Sequence, residues 1–478
     1  ILLALFEGLA AVDEKTSQAV PAAAESWVVS ADGLTWTFRL RDGLRWSNGE
    51  RLTADDFVQS WQRMLSPAFA SEYAYLLYPI KNAEAFNQGT VADPSVLGLS
   101  APDPRTVKIV LERPTPYLPV LVALPSWFPV NPRVLDHFGA MSKRGTQWTR
   151  PGNLVGNGPF TLEEWIPNDR IVAAKNPNYW NADAVSLSQI VFFPIESPET
   201  EERDFRAGQM HVTYSLPVSK IGAYRRDAPG LLRVDPFLQT FFLRFNVSRP
   251  PFDDPRVRRA LSLAINRDLI ARRVLSGGYP AAHSFTPPDC GGYTARARVD
   301  LDTGLARRLL AEAGYAGGRG IAPFEAQVRN DGVQPPVMEA IQSMWAKQLG
   351  IHATLATLEQ KTWIQNQQTL NYAVSTAAWA GDFLDPVTFL DLFVTKGGNN
   401  WTGWRDEAYD RLIDQAARTV DPTARLEVFQ KAEAYLLEQA PVAPLYFGAR
   451  SYLIRPVVKG WTPALLGYHR YAFVRLED

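Results

Sequence analysis

From about residue 250 onward, short strand-like runs alternate with strongly capped helices, and few architectures accommodate that order. "DDPRVRRALSLAINRDLI" has Asp254 as N-cap, Pro255 in the first turn and an apolar stripe of Val257, Leu261, Ala264 and Ile265. "DTGLARRLLAEAGY" stops at Gly314 and "PPVMEAIQSMWAKQLG" at Gly350, each a helix terminator. "DPTARLEVFQKAEAYLLEQA" repeats the Asp-Pro start at Asp421-Pro422. Strands are expected between these helices at 326–330, 352–357 and 372–376.

The first third has a different pattern. Trp27 to Trp46, "WVVSADGLTWTFRLRDGLRW", alternates apolar and polar residues around Asp32-Gly33 and Asp42-Gly43, which predicts a β-meander. A helix follows in "LTADDFVQSWQRML", capped by Thr53 and carrying Phe57, Val58, Trp61 and Met64 on one face. Further strands are expected at 105–111 and 170–176. The chain is therefore α/β (mixed α+β), and 478 residues predict two or three domains. No low-complexity linker is present, so domain crossings are expected to be short, as suits a hinge.

Lys plus Arg number 49 against 50 Asp plus Glu, a balance that argues against a nucleic-acid partner. Of the 14 Trp, 17 Tyr and 24 Phe most are expected in the core, and such a stock could also line a large, weakly selective cavity. Cys290 is the single cysteine, so no intrachain disulfide can form. No apolar run reaches the roughly 18 residues of a membrane span. The opening "ILLALFEGLAAVDEKT" lacks a basic n-region and is broken by Glu7, so it reads as an element inside a domain, not an intact signal peptide.

Signatures of catalysis are missing. None of the five histidines (137, 211, 283, 352, 469) is paired at metal-ligand spacing, and neither H-E-x-x-H nor G-x-S-x-G occurs. "VGNGPF" holds two glycines of a dinucleotide fingerprint but Thr161 in place of the third. Asp55-Asp56 and Asp253-Asp254 begin helices, where carboxylates complement the dipole. No enzyme activity, cofactor or metal is expected. One charge is left without an obvious role: in "STAAWAGDFLDPVTF", Asp385 caps the helix started by Pro386, but Asp382 sits between Trp379 and Phe383 with no basic residue from Tyr372 to Thr395. A second helix cap and an ion pair with a distant arginine are the structural alternatives.

Several segments taken together resemble one family. "LFEGL" (5–9), "TWTFRLRDGLRWSNGERLTADDFVQSWQRML" (35–65), "PGNLVGNGPFTLEEW" (151–165), "NPNYWN" (176–181), "RPPFDDPRVRRALSLAINRDLI" (249–270), "LLAEAGY" (309–315) and "AGDFLDPVTFL" (380–390) are similar, in order and spacing, to the family 5 extracytoplasmic solute-binding proteins. These are peptide- and nickel-binding receptors of ABC importers, and within the family the likeness is to the large receptors for oligopeptides and murein tripeptide. The resemblance implies a two-lobed periplasmic-binding-protein fold with an extra inserted domain. Domain I would comprise 1–19, 144–245 and 449–478, domain II 20–143, and domain III 246–448, with hinge closure over a peptide. It also implies a monomer that delivers its ligand to ABC permease subunits, in the periplasm or lipid-anchored outside the cytoplasm.

By the same resemblance, Asp382, three residues after Trp379, would receive the peptide's α-ammonium. Ala377, Ala378, Trp379 and Ala380 would supply backbone hydrogen bonds on one side of the ligand, and Leu9 and Ala10, following Glu7, on the other. Trp379, Trp401, Trp404, Tyr73, Tyr75 and Asn400 would line side-chain pockets. The chain departs from the pattern where relatives hold a ligand carboxylate: Thr376 and Gln367 replace arginines, and Pro335-Pro336 lies where a histidine is expected. The ligand could be longer, could lack a carboxylate at that depth, or could use another cation such as Arg329, Lys361 or His283.

Overall fold

The computed structural model describes residues 1–331, 333–395 and 397–477. It divides into two compact units, residues 1–211 with 417–420 and 455–478, and residues 212–416 with 421–454.

In the first unit, helix α1 (Leu2–Leu5) leads into strand β1 (Ala10–Val12), which pairs antiparallel with β2 (Ala19–Pro21). A four-stranded sheet then combines β3 (Ala24–Val29), β4 (Thr35–Leu40), β5 (Leu99–Asp103) and β6 (Thr106–Val110) in the order β3-β4-β6-β5. The hairpin turn falls at Asp32-Gly33, where Gly33 takes a φ of +71° that a side chain would resist. The second Asp-Gly pair does not continue a meander. Gly43 turns the chain, but Arg45 makes only an isolated bridge to Arg51, and β6 occupies the place beside β4. Trp46 is buried instead, its indole donating to Asp56 at 3.3 Å. Helix α2 (Ala54–Leu65) starts at Thr53 with a reciprocal capping box to Asp56, which accounts for one residue of the Asp55-Asp56 pair.

A three-stranded antiparallel sheet, β7 (Phe160–Ile166), β8 (Arg170–Lys175) and β9 (Gln189–Phe192), completes the unit. The core beside it gathers Leu5, Phe6, Phe128, Phe160 and Tyr179. The glycines of "VGNGPF" serve this packing. A Cβ on Gly156 would lie 2.0 Å from the Leu5 carbonyl oxygen, and one on Gly158 would lie 2.5 Å from the Phe6 nitrogen. They let one backbone lie directly against another; no cofactor role is needed to explain them.

The second unit is built on a five-stranded mixed sheet of β10 (Leu232–Phe245), β11 (Phe324–Arg329), β12 (Ala353–Leu358), β13 (Val374–Ala380) and β14 (Val442–Leu453), ordered β12-β11-β13-β10-β14. Pairs β11-β12 and β11-β13 are parallel, whereas β10 is antiparallel to β13 and β14. Parallel neighbours need crossover connections, supplied by α5 (Gln334–Leu349) and α6 (Gln360–Gln368). Two earlier helices precede them: α3 (Pro255–Leu263), capped by Asp254, and α4 (Thr303–Glu312). Gly350 ends α5 at φ +70°, as the sequence predicts, and Trp345 of α5 donates its indole to the Leu261 carbonyl at 2.9 Å, tying α5 to α3.

After β13 the chain forms the short helix α7 (Val387–Leu390). Asp385 accepts from the Val387 amide at 3.0 Å and also takes both arms of Arg425, at 2.6 and 2.7 Å. Arg425 belongs to α8 (Pro422–Gln439), and both side chains are buried. A paired charge at such a site is tolerable, but removal of one member leaves the other stranded.

Two outcomes are expected in chemical denaturation followed by circular dichroism. Gly156→Ala should destabilise the protein by about 1–3 kcal/mol, since the added methyl meets backbone and not a flexible side chain. Arg425→Met should cost about 3–5 kcal/mol, and the double variant Asp385→Leu/Arg425→Met should recover part of that loss.

Candidate functional site

Strand β13 is held unequally on its two edges. Every residue from Val374 to Ala380 faces a partner on β10, but β11 reaches only Val374 and Ser375. The Gly381 amide donates to the Leu238 carbonyl at 2.8 Å, one step beyond the Ala380–Gln239 pair. Bonded and non-bonded pairs alternate along an antiparallel ladder. Trp379 and Ala377 therefore turn their backbone groups towards β10, while Ala380, Ala378 and Thr376 turn theirs to the opposite edge. The Thr376 carbonyl there accepts a 3.4 Å bond from the buried Gln367 amide. Among the described residues no strand covers Ala378 or Ala380.

The turn after this strand is fixed by Thr388 of α7. Its carbonyl accepts the Trp379 indole at 2.7 Å, and its hydroxyl accepts the Asp382 amide at 3.2 Å. Between them, Gly381 packs so closely that a Cβ would lie 2.6 Å from Leu238 and 2.9 Å from Phe389. Trp379 and Asp382 are half-buried at the end of the strand. Thr388 was not singled out in the sequence, although it lies inside the "AGDFLDPVTFL" segment.

The other aromatic candidates separate into two kinds. Trp404 is buried against Tyr409, with ring centroids 5.1 Å apart, and belongs to the core. Trp401 is half-buried, bonds the Gly398 carbonyl at 2.8 Å, and lies under the Arg244 guanidinium at 4.8 Å. Asn400 is committed to its own loop: its amide donates to the Phe393, Val394 and Trp404 carbonyls and accepts from the Thr402 hydroxyl. Of the cations considered for a carboxylate, His283 already stands 2.8 Å from Asp300 and 3.7 Å from Asp268.

In the first unit Glu7, Leu9 and Ala10 are buried along one segment. Glu7 accepts from the Tyr179 hydroxyl and the Trp180 indole, both at 2.6 Å, and Asn157 clamps its backbone with bonds of 3.0 and 2.8 Å. Burial pushes its carboxyl above the ordinary range, partly offset by those two bonds and by the charges of Arg470 and Arg41. Arg41 stacks on Trp180 at 3.9 Å. Glu7 is thus a fastening for the segment that leads to β1. Gly8 supports the same fit, since a Cβ there would lie 2.3 Å from the Val122 carbonyl oxygen. Three of the resembling segments, "LFEGL", "VGNGPF" and "NPNYWN", therefore converge on one acid. Tyr73 and Tyr75 are exposed and stacked on each other at 6.3 Å.

Among the described residues no group of three or more His, Cys, Asp or Glu is placed to hold a metal ion, and no helix is long and apolar enough to cross a membrane.

Comparison with known proteins gives a consistent result. Residues 18–401 match the family described as "Bacterial extracellular solute-binding proteins, family 5 Middle". The probable deoxycholate-binding periplasmic protein YgiS of Escherichia coli is 36% identical over 96% of this chain and 86% of its own length. The periplasmic murein peptide-binding protein MppA of Escherichia coli is 35% identical over 98% and 88%, and the periplasmic oligopeptide-binding protein OppA of Salmonella typhimurium 34% over 96% and 84%. Among solved structures, the unliganded open form of the murein tripeptide-binding protein MppA superposes with a TM-score of 0.89 at 33% identity, covering 99% of this chain and 92% of that one. Haemophilus influenzae OppA in complex with the peptide RPPGFSPFR gives 0.74 at 28% identity, covering 99% and 93%. The mixed α/β fold, the matched length and the segments that build the Glu7 cluster and the end of β13 agree, and the chain belongs to the family 5 bacterial extracellular solute-binding proteins.

Proposed function

We propose that this chain is an extracytoplasmic receptor that captures oligopeptides and hands them unchanged to an ABC permease. The observation that carries the reading is the uncovered edge of β13, with Ala378 and Ala380 pointing outward and Asp382 at its end. An extended peptide satisfies such an edge through its main chain, so recognition is indifferent to much of the ligand sequence. The relatives named oligopeptide-binding and the OppA structure holding RPPGFSPFR support the same ligand class.

Within this proposal Asp382 receives the ligand's α-ammonium, through a charge-assisted hydrogen bond stronger than a neutral one. The backbone around it is fixed by Thr388, so the carboxylate is presented from a defined turn. Trp379, Trp401 and the exposed Tyr73–Tyr75 pair contribute apolar walls, and Leu9 and Ala10 contribute main chain in the first unit. The partition into domain I, the inserted domain II and domain III, a monomeric state, and a periplasmic or lipid-anchored location are parts of the same reading.

A second reading keeps the fold and changes the ligand to a cell-wall peptide, a dipeptide or a non-peptide solute. It is favoured by Thr376 and Gln367 in place of arginines and by the names of MppA and YgiS. Native mass spectrometry of the purified protein separates the two. A ladder of peptide masses supports the first, and one small mass supports the second.

Asp382→Asn should weaken peptide binding by about 2–5 kcal/mol, the scale for truncating one partner of a buried charge pair. N-acetylated peptides should lose a similar amount on the unaltered protein. Isothermal calorimetry that returns equal affinity for acetylated and unacetylated peptides would refute the ammonium anchor.

A further inference from the structure

Four arginines are buried among the described residues, all in the second unit: Arg244, Arg258, Arg267 and Arg425. Three of them are accounted for. Arg258 donates to the carbonyls of Gln439, Ala440, Phe252 and Asp253. Arg267 donates to those of Pro444, Ser262 and Ile265 and to the Ser262 hydroxyl. Arg425 pairs with Asp385.

Arg244 has none of this. Its Nε and Nη1 are buried without a hydrogen-bond partner, and no carboxylate among the described residues stands within ion-pair distance. Its guanidinium lies over the rings of Trp401 at 4.8 Å and Phe242 at 5.4 Å. Burial pushes its pKa down to about 10, with only the Tyr372 phenol acting in the opposite sense. A guanidinium so enclosed is costly unless an anion completes it, and a buried donor with no acceptor calls for a partner from outside the fold. Two rings supply polarisable contact but no acceptor oxygen.

Its position relates it to the ligand site: Arg244 lies on β10 directly opposite Ser375 of β13, the strand whose other edge is open at Ala378 and Ala380. Phe242 is in the core, whereas Trp401 is half-buried, so approach is from the Trp401 side. We infer that Arg244 is the anion-binding group of this receptor, and that its guanidinium takes the C-terminal carboxylate of the bound peptide. The inference rests on the oligopeptide reading and adds the group that holds the ligand's other end.

The test uses the full chain and a length series of alanine peptides, each as free acid, C-terminal amide and N-acetyl derivative, titrated calorimetrically into the unaltered protein and Arg244→Met. The unaltered protein should bind the acids about 10- to 100-fold more tightly than the amides. Arg244→Met should bind acid and amide alike while keeping its preference for an unacetylated amino end, which separates this inference from the Asp382 anchor. In the absence of ligand, Arg244→Met should melt no lower than the unaltered protein, because it removes an uncompensated charge. Equal affinity of the unaltered protein for acids and amides would overturn the inference, as would an undiminished preference for acids in Arg244→Met. Should no peptide bind, the oligopeptide reading falls and the inference with it; a ligand-free Arg244→Met melting well below the unaltered protein would overturn the inference alone, by making Arg244 structural.

Discussion

A backbone amide or carbonyl removed from water must find a partner, and in the second unit an inner strand of the sheet leaves that requirement open along part of one edge. Strand β13 satisfies its β10 edge along its whole length and its β11 edge for only two residues. What surrounds it keeps that edge in place. The Asp385–Arg425 pair secures the chain just past the strand, Thr388 fixes the turn, and Gly381 lets the turn pack against Leu238 and Phe389. In the proposed function the ligand is held mainly by an incomplete sheet, with side chains acting at its ends.

The first unit shows the complementary use of a buried charge. Glu7 is enclosed by Tyr179, Trp180 and Asn157, and the glycines at 8, 156 and 158 remove the side chains that would keep these segments apart. This acid spends its hydrogen-bonding capacity on its own fold. Asp385 does the same through Arg425. Arg244 is the buried arginine with neither a carboxylate nor a carbonyl partner among the described residues, and that contrast is what singles it out for the proposed anion site.

Much of this was legible in the sequence where the signal is local. Asp254, Thr53 and Asp421 cap the helices expected of them, and Gly350 ends its helix in the left-handed region. The β-meander was misread because an Asp-Gly turn reports that the chain reverses, not which segment lies alongside; the position beside β4 went to residues more than 60 positions downstream. Trp404 and Asn400 could not be assigned from residue type, since an indole or an amide suits a pocket and a loop core equally. The outward direction of Ala378 and Ala380 required the register with β10 and the Gly381–Leu238 bond that shows which of its pairs are hydrogen-bonded. Arg244 gave no signal at all, because an arginine in "FFLRFN" looks like any residue on the polar side of a strand until the acids around it are known to be missing.

The alternation along β13 has one more implication. Outward-facing donor and acceptor groups recur at every second residue, about 7 Å apart, so a guest chain laid along this edge, as proposed, would be read by β13 with a stride of two. Residues at one parity would offer their amide hydrogens to β13, and those at the other parity would turn theirs away from it. A proline or N-methylated residue would then break contact with β13 at one parity only, a rule of spacing that is independent of side-chain identity.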